Sequence, residues 1–147
     1  AEALSPLARQ AGEQGVMLLL ELLNSWNHPD YAADHMPWCL AVLDAVGSPH
    51  LRILYDCFHA LRMGADVAGD LAKHAAKIGH IHVAEPPGRG QPRSDGFVPW
   101  PEYVRIATAS GYRGCWGLEF KPQGDAIAEI VQVAGLLTIR RREDPTG

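Results

Sequence analysis

The chain has 147 residues, 47% hydrophobic and 20% charged, with 13 Lys and Arg against 17 Asp and Glu for a formal charge of −4. That size and composition predict one globular domain and exclude a disordered chain. The charge offers no positive field to a phosphate backbone, so no nucleic-acid partner is expected. No apolar run approaches the roughly 18 residues of a membrane helix, the longest, Trp38 to Leu43, being ended by Asp44, so no membrane partner is expected either. Cys39, Cys57 and Cys115 are odd in number and lack a CxxC pair. They indicate neither a disulfide framework nor a zinc knuckle, and a reducing, cytoplasmic setting is the simplest expectation. The start at Ala1, without a methionine or a signal-peptide pattern, suggests a fragment or a processed chain.

Ala3 to Gln14 has helix-forming composition, with Leu4, Leu7 and Ala11 at helical spacing and Gly15 as a stop. Val16 to Leu22 is a short apolar run that reads as a buried strand. From about Asp34 to Val46 apolar residues recur at helical spacing (Trp38, Val42, Ala45, Val46) until Gly47-Ser48-Pro49 ends them. Leu51 to Tyr55 reads as a second strand, Asp66 to Lys77 as a helix, and His80 to Ala84, after Gly79, as a third strand. Glu85 to Pro99, with three prolines before Pro99 and three glycines, is a long loop, the kind of segment on which function tends to sit. Pro101 opens a helix that Gly111 stops, Cys115 to Phe120 is a fourth strand, and Ala126 to Arg140 a final helix. The cationic run Arg140-Arg141-Arg142 reads as that helix fraying into a polar tail, residues 141–147.

The order is one helix followed by four strand-helix repeats, which predicts right-handed βαβ units and a parallel α/β sheet. An open doubly wound sheet and part of a (β/α)8 barrel both satisfy it. Nothing like GxGxxG or GxxxxGK[ST] follows any strand, which removes support from nucleotide-binding open sheets. Each strand carries a potential metal ligand at or near its C-terminal end: Glu21, Asp56, His82 and Glu119, spaced 35, 26 and 37 residues apart, about one βα unit each. In a parallel barrel these side chains converge at the end where barrel active sites lie. Buried carboxylates need pairing, protonation or a cation to offset their desolvation, and three carboxylates with one imidazole suit Mn²⁺, Mg²⁺ or Co²⁺. Taken singly, Glu21 would serve as a strand residue near solvent, Asp56 as a helix cap or arginine partner, and His82 as a satisfied core histidine. The recurrence, one per repeat, favours the metal. His59, three residues after Asp56, is placed to turn back over the same pocket, or to stand at a surface helix start. His80 shares a strand face with His82 and reads as a second interior layer. Arg89, on the long loop, offers a planar fork to an anionic group, or is a solvated arginine.

The stretches Glu21-Leu22-Leu23-Asn24-Ser25, Tyr55-Asp56-Cys57-Phe58-His59 with Arg62-Met63, Gly79-His80-Ile81-His82-Val83-Ala84, Pro87-Gly88-Arg89, and Gly111-Tyr112 running on to Gly117-Leu118-Glu119-Phe120-Lys121-Pro122 stand in one order over roughly residues 16–122. As an ordered set they resemble the sugar isomerases of the xylose-isomerase-like TIM barrels, and among these the hydroxypyruvate isomerases. The resemblance implies that Glu21, Asp56, His82 and Glu119 hold a divalent metal ion. It also implies that Glu21 and Glu119 flank the substrate and exchange protons with it, that His59 contacts a substrate oxygen, and that Arg89 binds the substrate. His82 matches the ketose 3-epimerase branch, since hydroxypyruvate isomerases often have Gln there, and Gln91 replaces the acidic residue usual after the PGR motif.

The expected chemistry is an aldose-ketose isomerisation of a small hydroxy-carbonyl or sugar substrate through an enediolate, hydroxypyruvate to tartronate semialdehyde in the first instance, with the metal as Lewis acid and template. Alternatives are a ketose 3-epimerase or other sugar isomerase, a truncated chain that keeps the ligands without catalysing, and a metal-dependent phosphoester nuclease, which the −4 charge opposes. A complete barrel takes about 250 residues. Residues 1–140 are therefore expected to be the C-terminal half of one, its last four βα units and a preceding helix. Its two unpaired parallel edges predict a poorly stable monomer or a homo-oligomer.

Overall fold

The computed structural model describes residues 1–138. Helix α1 (Leu4–Glu13) leads into strand β1 (Leu18–Glu21), then α2 (Met36–Val46), β2 (Leu51–Asp56), α3 (Cys57–Arg62), α4 (Val67–His74), β3 (Ile78–Val83), α5 (Trp100–Ala109), β4 (Trp116–Leu118) and α6 (Ala126–Leu137). A 3-10 turn, Ala75–Lys77, joins α4 to β3. All three strand pairs are parallel and the sheet order is β1-β2-β3-β4. Sequential order is what a barrel arc requires. A doubly wound sheet reverses direction at a switch point, so this order decides between the two architectures that the sequence leaves open.

Right-handed crossovers between parallel strands in sequential order put the helices on one face. Along β2 the side chains of Leu51, Ile53 and Tyr55 are buried against them, while Arg52 and Leu54 point to the other, half-open face. Ile81, Val83, Leu71 and Trp100 complete a core that excludes water almost entirely. The Tyr55 hydroxyl reaches through it to donate to Asp70 Oδ2 at 2.8 Å. Among the described residues no helix is long and apolar enough to cross a membrane.

Several expectations need correction. Hydrophobicity places Leu7 on the inner side of α1, yet Ala8 and Ala11 are buried there and Leu7 is 51% exposed. In α2 the buried positions are Met36, Cys39 and Leu43, not the stripe through Trp38 and Ala45. Which residues face inward is set by how each helix packs against its neighbours, a criterion that hydropathy does not carry. Helix α3, which begins directly at the end of β2, enters the sequence reading only through the cap considered for Asp56 and the helix start considered for His59, because its six residues are too few to establish a period. Helix α6 ends at Leu137, short of Arg140. The run Arg140 to Arg142 and the tail 141–147 lie outside the described residues.

Candidate metal centre

Two features of the sheet bring the predicted ligands together. Between β2 and β3 the register shifts by one residue: Ile53 pairs with Ile78, but Leu54 pairs with His80 and Asp56 with His82. Were Gly79 instead taken up in a regular ladder opposite Leu54, Asp56 would face Ile81, and His82 would point to the helices instead of the open face. A Cβ at Gly79 would lie 2.6 Å from Leu19 Cδ2 and 3.1 Å from Arg52 Cβ, so a side chain at this bulge would have to displace Leu19. Gly117, paired with His82 across β3 and β4, has the same function for the rings, since a Cβ there would stand 2.4 Å from His80 Nε2 and 2.7 Å from His82 Cδ2.

Glu21, Asp56, His82 and Glu119 each offer a ligand atom, and these atoms all lie within 4.8 Å of one another. Asp56 is 1% exposed, His82 21%, Glu21 33% and Glu119 46%, so the cluster opens on the Glu119 side. Glu119 follows the last residue of β4 and is held by its own N–H donating to Val83 O at 3.3 Å. Both single-residue roles considered for Asp56 hold at once. Its Oδ1 caps α3 by accepting from His59 N at 3.1 Å, and its Oδ2 receives Arg89 Nη2 at 3.2 Å. The core-histidine reading of His82 does not hold: Nδ1 is buried and lacks a hydrogen bond, although Glu119 Oε2 lies 2.8 Å away and the Glu21 and Asp56 carboxylates 3.7 and 3.8 Å away. A buried imidazole nitrogen that lacks a hydrogen bond and faces three carboxylates could serve a divalent cation, and the residues present fit one.

Arg89 stands at the turn of a short loop closed by Glu85 and Gly90, whose backbones exchange hydrogen bonds of 2.8 and 2.9 Å. Its φ of 59° is left-handed, a costly conformation for a non-glycine residue. The surroundings hold it there: Arg89 O accepts from Lys121 N at 2.7 Å, Arg89 Nε donates to Glu119 O at 3.2 Å, and the guanidinium also pairs with the Glu119 carboxylate. Glu85 anchors the far side of the loop, its Oε2 accepting from Trp100 Nε1 at 2.9 Å. Phe58 lies under the guanidinium at 5.1 Å, a cation–π contact.

His59 is buried on the first turn of α3, with Nε2 3.7 Å from Asp56 Oδ2 and 3.2 Å from Arg89 Nη1, so it does turn back over the cluster. Burial, and then the Arg89 charge, lower its pKa to about 4. Burial holds Asp56 above the usual carboxylate range. Glu21 is also raised, by burial first and then by the Glu119 carboxylate. Burial acts on Glu119 in the same direction, but Arg89 outweighs it and leaves the group below its ordinary value. His80 packs edge-on against His82 at 5.0 Å, the second layer expected of it. Three residues escaped the sequence reading: Asn24, fully buried against His59; His28, whose ring lies 5.5 Å from that of His59; and Gly117. Asn24 and Gly117 both stand in the stretches that carry the family resemblance, but no spacing rule marks an amide as a histidine partner or a glycine as room for two rings.

The xylose isomerase-like TIM barrel family matches residues 1–136, and the chain belongs to it. It is similar to hydroxypyruvate isomerase of Escherichia coli K12, 31% identical over 122 residues, covering 83% of this chain and 47% of that protein. It is also similar to 2-oxo-tetronate isomerase of Cupriavidus necator, 32% identical over 129 residues, 88% of this chain and 49% of the other. The crystal structure of AP endonuclease, family 2, from Brucella melitensis superposes with a TM-score of 0.84 at 26% identity, over 91% of this chain and 52% of that one. The chain spans about half the length of the curated relatives it matches.

Proposed function

We propose that this chain carries the metal-binding and proton-transfer groups of an isomerase that interconverts hydroxypyruvate and tartronate semialdehyde. The observation that carries the reading is the convergence of ligand atoms of Glu21, Asp56, His82 and Glu119 within 4.8 Å of one another, with a buried histidine nitrogen that makes no hydrogen bond. Relatives named for the isomerisation of hydroxypyruvate and of 2-oxo-tetronate support it.

A divalent cation held by Glu21, Asp56, His82 and Glu119 would supply Lewis-acid stabilisation of the charge that develops on the substrate oxygens. The chain's own groups move the protons. Isomerisation takes a proton from the hydroxymethyl carbon of hydroxypyruvate and returns one to the neighbouring carbon, through an enediolate. Glu119 and Glu21 suit opposite roles, because Arg89 holds the first as a carboxylate while burial raises the proton affinity of the second. Arg89 receives the substrate carboxylate in its fork, and His59 donates from Nε2 to a substrate oxygen.

The test is incubation of the full chain with hydroxypyruvate and Mn²⁺, Mg²⁺ or Co²⁺, monitoring tartronate semialdehyde, beside the Glu119→Gln variant. Metal-dependent turnover that the variant loses is expected. Equal, weak metal binding by both proteins would reduce the chain to a non-catalytic piece. A second reading, ketose 3-epimerase, is favoured by His82 in place of Gln. Epimerisation of a free ketose without turnover of hydroxypyruvate would establish it over the first.

A further inference from the structure

Asn24 lies just past the end of β1 and is fully buried. Its side-chain Oδ1 accepts from the backbone N–H of Asn27 at 2.8 Å. A backbone N–H only donates, so that bond fixes which end of the amide is oxygen and turns Nδ2 toward His59, 2.6 Å from Nδ1. The backbone N–H of Asn24 reaches the same ring nitrogen at 2.9 Å. Both groups are donors. Nδ1 must therefore accept, and the ring carries its single proton on Nε2. That Nε2–H lies 3.2 Å from Arg89 Nη1, which is likewise only a donor. Two donors converging at one place suit a single oxygen acceptor.

We propose that Asn24 is a positioning residue: its amide and backbone N–H clamp His59 in the Nε2–H tautomer, so that the ring offers a donor to the substrate oxygen facing Arg89. The chain of cause runs from the Asn27 N–H through the Asn24 amide to the imidazole proton. It crosses from the β1 loop to α3, two segments 35 residues apart in sequence. The catalytic consequence rests on the isomerase reading above; the tautomer does not.

The test replaces Asn24 with aspartate, which keeps the shape and the acceptor for Asn27 but turns the group facing Nδ1 into an acceptor. Long-range proton–nitrogen correlation spectra of the ¹⁵N-labelled chain at neutral pH report the ring protonation, with His59 assigned from a His59→Gln sample. The wild type is expected to show a bare Nδ1 and a protonated Nε2, and Asn24→Asp a protonated Nδ1. With hydroxypyruvate, kcat of Asn24→Asp is expected to fall about 10–100-fold, with KM changed much less, as for other groups that orient a functional histidine. A wild-type His59 protonated on Nδ1 overturns the clamp, and this reading does not depend on the variant folding. The backbone N–H remains a donor to Nδ1 in the variant, so an Asn24→Asp protein that keeps the Nε2–H pattern assigns the tautomer to the backbone alone and overturns the amide's positioning role, as does one that switches tautomer with kcat unchanged. Absence of wild-type turnover defeats the isomerase reading and the catalytic consequence with it, while the ring nitrogens judge the clamp separately.

Discussion

Replacing Gly117 with alanine tests how closely the sheet is built around the imidazoles. The added Cβ would lie 2.4 Å from His80 Nε2 and 2.7 Å from His82 Cδ2. Comfortable contacts between such atoms begin near about 3.5 Å, so both rings must retreat by roughly 1 Å. Their edge-on packing against each other, at 5.0 Å between centroids, obstructs that retreat. Overpacking of this kind costs about 1–3 kcal/mol, a fall in Tm of roughly 3–10 °C in a chain this size. Metal ligands hold their distances to about 0.2 Å, so a 1 Å displacement of His82 should weaken Mn²⁺ binding by about tenfold or more. Thermal melts followed by circular dichroism and calorimetric Mn²⁺ titration measure the two effects. Gly135→Ala is the control of opposite sign: its Cβ meets nothing within 4 Å, and alanine in a helix is favoured over glycine by about 1 kcal/mol. Gly117→Ala melting at or above the wild type, with the same Mn²⁺ affinity, would refute the close-approach reasoning.

Acid should loosen the proposed metal site early. A carboxyl whose pKa is raised in the folded chain takes up its proton sooner as pH falls, so Glu21 and Asp56, the proposed ligands, would be protonated above the ordinary carboxylate value of about 4. Mn²⁺ affinity measured by titration should therefore decline before that pH is reached, and a flat affinity down to it would contradict the shifts. Cys115 is exposed whereas Cys39 and Cys57 are buried, burial pushing the Cys39 thiol up to about 12 and Cys57 well above its usual value. A disulfide reagent should then titrate one thiol rapidly in the native chain and three in urea; fast reaction of more than one would count against the core packing. Glu129 accepts from Gln123 N at 3.1 Å and Gly124 N at 2.7 Å, closing the loop that follows Glu119. Urea unfolding should show Glu129→Ala destabilised by about 1–3 kcal/mol with Glu129→Gln recovering most of it, and equal loss in both would mean that the acceptor oxygen is not what matters.

Much of this site is legible in the sequence because a parallel strand ends in a fixed direction. Polar residues that close four apolar runs at one-unit intervals must gather at one rim, so Glu21, Asp56, His82 and Glu119 can be named without coordinates. The glycine stops behave similarly, as at Gly47, whose φ of 65° ends α2 where the sequence places the stop. Helix faces are less legible, since Ala8 and Cys39 are buried while the larger Leu7 and Trp38 are left exposed.

The tertiary structure alone decides the rest. Sequence order of the strands separates a barrel arc from an open sheet, and the bulge at Gly79 decides that His82 faces Asp56. Neither follows from residue types, because register is a relation between two strands and a shift of one residue reverses a side chain's face. Asn24 and His59 carry the same lesson. Their pairing joins segments 35 residues apart, and the tautomer it sets depends on donors that only the folded chain brings to one nitrogen. Local pattern names the groups that carry charge, and packing across the chain determines which way each of them faces.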